Sequence, residues 1–196
     1  MTSDVSKGLR ASEIKDILER VLGFLKVNFL GVFSRDKLPK ISSRTRFPAC
    51  LVVNSAPASQ AGEHWLAIYF LDSIHCEFFD SYAYHPGFYG LSEYLAKFSV
   101  TATVDHTLQS LDSAVCGHYC ILYLYLRSLG YSLSTIVSSF SLTDLILNDH
   151  RAADFVKHSL TLSRSPMQTS KCSCPTLCCL SRTALLCNCI LLRKLN

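Results

Sequence analysis

Two strand-like segments around a tight turn, a long apolar helix after them and shorter helical segments on either side predict an α+β domain. Its central sheet should be mostly antiparallel and flanked by helices. Residues 65–71 (WLAIYFL) and 75–80 (HCEFFD) are rich in aromatic and branched side chains and flank Asp72-Ser73, which predicts a hairpin. The apolar run from Cys116 to Leu129 stops at Gly130, the residue type that most readily closes a helix.

The remaining elements follow in order. Ile14, Ile17, Leu18, Val21, Leu22 and Leu25 recur at helical spacing, predicting a helix over 12–27 with Ser12 as N-cap. Phe29–Pro39 carries a Gly and a Pro and reads as an extended stretch turning into loop. Residues 47–54 (FPACLVVN) read as a short buried strand closed by the Ser-Ala-Pro-Ala-Ser loop. After Pro86-Gly87, residues 88–98 predict a helix with Leu91, Tyr94, Leu95 and Phe98 on one side, and 100–104 a short strand. Helices are expected over 133–140 and 143–158. From about residue 162 no period persists, and no internal repeat is present.

Composition sets the outer limits. With 196 residues, 49% of them apolar and 11% aromatic, the chain suffices for one globular domain and is short for two. The opening MTSDVSKGLR lacks the charged-then-apolar layout of a secretory signal, and no run approaches the roughly 18 apolar residues of a membrane span. The expectation is a soluble, monomeric intracellular protein of the cytoplasm or nucleus.

Charge and cysteine divide the chain at one place. Beyond residue 158 stand five basic residues (Arg164, Lys171, Arg182, Arg193, Lys194) and no acidic one, so the net charge of +4 belongs to the tail. Residues 1–158 are close to neutral and exert no global pull on nucleic acid. Cys50, Cys76, Cys116 and Cys120 are dispersed, as reduced thiols are, whereas Cys172, Cys174, Cys178, Cys179, Cys187 and Cys189 crowd together. The expected division is a folded domain over 1–158 and an unstructured, Cys-rich basic tail over 159–196. The tail's CSC, CC and CNC pairs lack the C-x-x-C spacing of zinc sites, and no His follows His158, so neither metal nor cofactor is expected. Leu177–Leu192 is broken by Arg182 and Asn188 and is too short to span a bilayer.

Four residues are candidates for chemistry. A hairpin turning at Asp72-Ser73 sets His64 opposite Asp80, where antiparallel partners lie about 4.5–5.5 Å apart. A carboxylate on one ring nitrogen fixes the tautomer and frees the other nitrogen as a base. Cys116 opens a helix, whose dipole and unpaired N–H groups favour a thiolate and can hold an oxyanion, and Gly117 permits close backbone approach. Gln109 lies in the loop feeding that helix, from which an amide can point to the same oxyanion. Cys50, Cys76 and Cys120 read as small buried residues.

These residues stand inside larger motifs. Gly62-Glu63-His64-Trp65-Leu66-Ala67 resembles the G-x-H-W-L-A signature of the adenovirus protease family. Phe78-Phe79-Asp80-Ser81-Tyr82 resembles the strand-end acid of that family and of its relatives, the proteases of ubiquitin-like modifiers. Gln109 to Cys120 (QSLDSAVCGHYC) resembles the family's Gln, six intervening residues, Cys-Gly and second Cys. FLGVFSRDKLP and FPACLVVN are similar in the same order, so the likeness covers about residues 12–158.

The resemblance implies a papain-like site on a circularly rearranged α+β fold. His64 would be the general base, Asp80 its orienting acid, Cys116 the nucleophile and Gln109 an oxyanion donor, with Trp65 and Gly117 beside the bound substrate. The reaction would be cleavage of a polypeptide through a thioester, at small or glycine residues, with an activating peptide as a partner known in the family. DNA activation is not carried over, because the core is neutral. A protease of ubiquitin-like modifiers is the second reading, and an inactive binding module on the same scaffold the third.

Overall fold

A computed structural model describes residues 5–162 of the chain. Helix α1 (Ala11–Leu22) is followed by strands β1 (Asn28–Ser34), β2 (Ala49–Asn54), β3 (Trp65–Phe70) and β4 (His75–Phe79). A 3-10 turn (Pro86–Tyr89), the single-turn helix α2 (Ser92–Leu95) and strand β5 (Ser99–Thr103) come next. Helices α3 (Cys116–Ser128), α4 (Leu133–Ser138) and α5 (Leu145–Leu162) are the remaining elements among the described residues.

The strands form one five-stranded sheet in the order β1-β2-β3-β4-β5. The expected antiparallel hairpin is its centre, for β3 pairs antiparallel with both β2 and β4. The outer strands correct the expectation of a mostly antiparallel sheet, because β1 joins β2 and β5 joins β4 in parallel. The cause lies in the connections. Residues 35–48 and 80–98 are long enough for the crossover of about a dozen residues that parallel pairing needs.

Both faces of the sheet are covered. Cys50, Val52, Ala67, Tyr69 and Phe79 point to the side packed by α1, α3 and α5, while Leu51, Val53, Leu66, Ile68 and Phe78 point to the other, beneath Tyr89, Leu91 and Leu95. That two-sided burial is why the central strands read as continuous apolar runs. Helix α3 lies at the centre of the larger core, with Cys116 through Leu126 all buried, so it too is apolar on every side.

Three local readings need correction. Helix α1 ends at Leu22, and its N-cap is Arg10, whose backbone N–H donates to Glu13 Oε2 at 2.8 Å, not Ser12. The helix expected over 88–98 is broken at Gly90, which takes a left-handed φ of 70°. Helix α5 continues to Leu162, beyond the expected end at 158. The tail expected to be unstructured lies outside the described residues from 163 onward.

Among the described residues no helix is long and apolar enough to cross a membrane.

Candidate active site

His64 immediately precedes β3 and Asp80 immediately follows β4, so the hairpin delivers both to one end of the sheet. The register differs from the expected one. Ala67 pairs with Phe79 and Ile68 with Phe78, which carried outward sets His64 opposite Tyr82. Asp72 is responsible: its Oδ1 accepts the N–H groups of Ile74 and His75, each at 2.7 Å, and so holds a wider turn than two residues. The Tyr82 ring accordingly stacks on the imidazole at 4.8 Å. Asp80 reaches His64 along the diagonal, with Nε2 and Oδ1 2.7 Å apart.

Asp80 is buried and fully engaged. Its Oδ1 also accepts the N–H of Tyr82 at 3.0 Å, and Oδ2 accepts the N–H of Tyr84 at 2.9 Å and the hydroxyl of Tyr89 at 2.8 Å. Such bonds compensate the cost of removing a carboxylate from water. The chain turns sharply here, and Ala83 adopts a left-handed φ of 61°, a conformation that costs a residue with a Cβ about 1 kcal/mol or more.

Cys116 is the first residue of α3 and lines the same cleft as His64. No side chain caps the helix. The N–H groups of His118 and Tyr119 turn back to Val115 O, which leaves those of Cys116 and Gly117 open at the helix start. Gly117 is where the expected close approach occurs. A Cβ there would lie 3.0 Å from Ile14 Cδ1 and 3.2 Å from Trp65 Cδ1.

Burial of the His64 imidazole favours its neutral form. The hydrogen bond to Asp80 and the bonding and charge of Cys116 outweigh that and raise its pKa to about 9. The ring is therefore held as imidazolium at neutral pH, the partner a thiolate requires. His118, two residues past the thiol, goes the other way: burial lowers it to about 4 against the opposing charge of Glu13. It adds no positive charge at neutral pH. Burial pushes the Cys76 thiol up to about 12 and raises those of Cys50 and Cys120 well above the usual thiol range, so all three are inert.

Gln109 is buried at the back of the cleft. Its Oε1 accepts the Ser81 hydroxyl at 2.7 Å, and its Nε2 donates to Ser113 O at 3.1 Å and Oγ at 3.2 Å. Oxyanion donation would draw on that same NH2 group. The loop is tied from outside the site, by Asn148 Nδ2 on Leu108 O at 3.2 Å and by Asp149 on the N–H of Ser110.

His64, Cys116 and Gln109 line a cleft of about 730 Å³, and Asp80 is buried against His64. Trp65 forms part of its wall and donates from Nε1 to Leu9 O at 2.9 Å. Gly8, Leu9 and Arg10 make the adjoining wall, anchored where Ala114 N donates to Val5 O at 2.9 Å. Sequence reasoning missed this segment, which carries no periodicity and no reactive side chain. It also missed Asn54, whose Oδ1 accepts from the N–H groups of Ala56 and Glu63 at 2.9 and 3.2 Å. A Cβ on Gly62 would come within 2.8 Å of Asn54 Nδ2, which accounts for glycine two places before His64. No cluster fit for a metal ion occurs among the described residues.

No protein-family model matches the chain. The protease of human adenovirus A serotype 12 is 29% identical over 113 residues, a match covering 50% of this chain and 54% of that protein. The chain thus spans about half the length of this curated relative. The crystal structure of a protease of ASFV superposes with a TM-score of 0.51 at 15% identity, covering 74% of this chain and 67% of the other, so the two share a fold. Weaker likenesses reach ChlaDub1 of Chlamydia trachomatis (TM-score 0.45, 16% identity, 83% and 81% covered) and the central domain of a Legionella pneumophila protein (0.48, 14%, 81% and 99%). The chain is related to the adenovirus-type cysteine proteases. Human adenovirus A protease is the particular relative that carries this statement.

Proposed function

We propose that the chain is a cysteine endopeptidase that cleaves polypeptides through a thioester. One observation carries the reading. His64 stands between a buried, four-fold hydrogen-bonded Asp80 and the Cys116 thiol at an uncapped helix start, within an open cleft.

The chemistry follows from that arrangement. The Cys116 thiolate adds to the scissile carbonyl carbon, and the oxyanion is met by the open N–H groups at the start of α3 and by Gln109. As the C–N bond breaks, the His64 imidazolium gives its proton to the departing amine. A water then loses a proton to His64 while its oxygen attacks the thioester, the C–S bond breaks, and the thiolate is restored with His64 again charged. Asp80 keeps the ring oriented throughout. Trp65 beside Gly117 narrows the entrance to the thiol, which favours glycine or another small residue on the acyl side. By analogy with the adenovirus relative, maturation of a virus-like particle from inside the cell is the proposed setting.

Labelling by iodoacetamide at pH 7, mapped by mass spectrometry, tests the site. Cys116 should be alkylated, while Cys50, Cys76 and Cys120 are spared. Labelling should drop in His64→Ala, and hydrolysis of glycine-containing peptides should vanish in Cys116→Ala. Activity confined to conjugates of ubiquitin-like modifiers would replace this reading with an isopeptidase.

A further inference from the structure

A second pocket, of about 300 Å³, borders His64 together with Tyr84 and Tyr89, the residues that bind Asp80. It shares His64, Glu63 and Tyr82 with the main cleft, but neither Cys116 nor Gln109 lines it. Its outer wall is aromatic. Tyr84 and Phe88 stack with centroids 4.7 Å apart and planes at 19°, and Phe88 meets Tyr89 edge-on at 5.1 Å. Phe88 is nonetheless 71% exposed and Tyr84 48% exposed.

We infer that this aromatic wall is a specificity subsite for the part of the substrate C-terminal to the scissile bond, and that it takes a large apolar side chain, aromatic or long aliphatic. The inference rests on the proteolytic reading above and adds to it the residue class on the leaving side.

Direction comes from the proton path. The acyl half must lie with its carbonyl oxygen toward Gln109 and the start of α3, which places it in the main cleft. The departing amine must receive its proton from His64, so the chain beyond it passes the imidazole toward the second pocket. The two pockets thus divide the peptide at His64.

Class of residue comes from the wall itself. Two stacked rings offer a broad apolar face, and such rings anchor partners at low ordering cost when already fixed. The wall is tied to the acid of the site at its backbone and at its inner ring: the N–H of Tyr84 and the hydroxyl of Tyr89 both bind Asp80 Oδ2. The turn beneath Phe88 is closed by Gly87 N on His85 Nδ1 at 3.1 Å and by left-handed Gly90. Arg35 and Glu63 edge the pocket with opposite charges, so no single charge sign is favoured. Arg35 is also drawn onto the turn, where Nη1 donates to Tyr89 O at 3.4 Å.

The test uses a proteome-derived peptide library with blocked amines, incubated with the full chain. Each cleavage exposes a new amino terminus that reports the leaving-side sequence directly. Cys116-dependent termini should be enriched roughly tenfold in Phe, Tyr, Leu or Met at one of their first three positions, the discrimination one apolar group in a pocket supplies. Phe88→Ala and Tyr84→Ala should erase the enrichment, and Phe88→Tyr should keep it. Absence of any Cys116-dependent terminus overturns the peptidase reading, and the subsite with it. Cleavage with no apolar bias in the unaltered chain, or a bias that survives Phe88→Ala, overturns the subsite alone. The unaltered chain decides the matter even if a variant fails to fold.

Discussion

Asp149 on α5 accepts the backbone N–H of Ser110, 3.2 Å from Oδ2 and 3.4 Å from Oδ1, and the hydroxyl of Tyr119 at 3.0 Å. One carboxylate thereby joins three elements: the last helix, the helix that begins at Cys116, and the loop whose preceding residue is Gln109. Asp149→Ala strands the Ser110 backbone donor and leaves the buried Tyr119 hydroxyl only Leu108 O, at a cost of about 1–3 kcal/mol. If Gln109 serves the oxyanion, kcat should fall roughly tenfold or more with KM nearly unchanged, since the group acts on the transition state. Chemical denaturation and steady-state kinetics on one preparation separate the two effects.

The raised pKa of His64 fixes a pH dependence. The unfolded imidazole titrates near about 6.5, and the folded one at about 9. Stability from this group is therefore fully present below about pH 6.5 and is lost as pH rises through 9. The imidazolium is lost over the same window, so peptide cleavage should fall on an alkaline limb near pH 9. Asp80→Asn removes a hydrogen-bonded negative charge and should move that limb to lower pH. A pH–rate profile of each protein, with melts at matching pH, checks the sign.

Gly117→Ala sets a small helix-propensity gain against crowding. The new methyl meets Ile14 and Trp65 at 3.0–3.2 Å. Overpacking costs about 1–3 kcal/mol, more than the ~1 kcal/mol that Ala gains over Gly in a helix. The variant should be less stable or shift Trp65, seen as a lower melting temperature and altered fluorescence of the sole tryptophan.

Glu77 and Arg127 form a pair inside the fold. Arg127 Nε lies 2.7 Å from Glu77 Oε2, which also accepts the Tyr123 hydroxyl at 2.8 Å, and the guanidinium sits 4.8 Å over the Tyr69 ring. Arg127→Ala leaves the carboxylate with one partner, and breaking such a pair costs about 3–5 kcal/mol. The double variant Glu77→Gln, Arg127→Met should recover part of that loss. Urea unfolding of the single and double variants measures the coupling.

How much of this was readable beforehand depended on distance along the chain. His64 and Asp80 stand at the ends of one hairpin, and Cys116 at the start of one apolar helix, so local patterns marked all three as candidates, and the resemblance to the adenovirus protease motifs supplied their expected roles. The register slipped because Asp72 captures two amides through its side chain, which strand propensity does not register. Glu77 is one polar residue within a strand, and its partners come from α3, beyond any local pattern. The helix expected over 88–98 failed at Gly90, where a left-handed turn outranked the apolar spacing. The parallel edge strands were hidden because pairing direction is set by the crossovers and not by strand composition. The cleft wall at Gly8 and Leu9 has no pattern at all; only tertiary contact with Trp65 and Ala114 defines it.

The tie between Ser110 and Asp149 also has a meaning in time. The ribosome releases His64, Asp80 and Cys116 well before Asp149, so a growing chain carries every reactive group while the clamp on the Gln109 loop is still missing. Leu9 and Trp65, bonded to each other, meet Gly117 only when α3 has docked against them. On the proposed reading, the Gln109 loop is clamped only once α5, the last helix among the described residues, has been made.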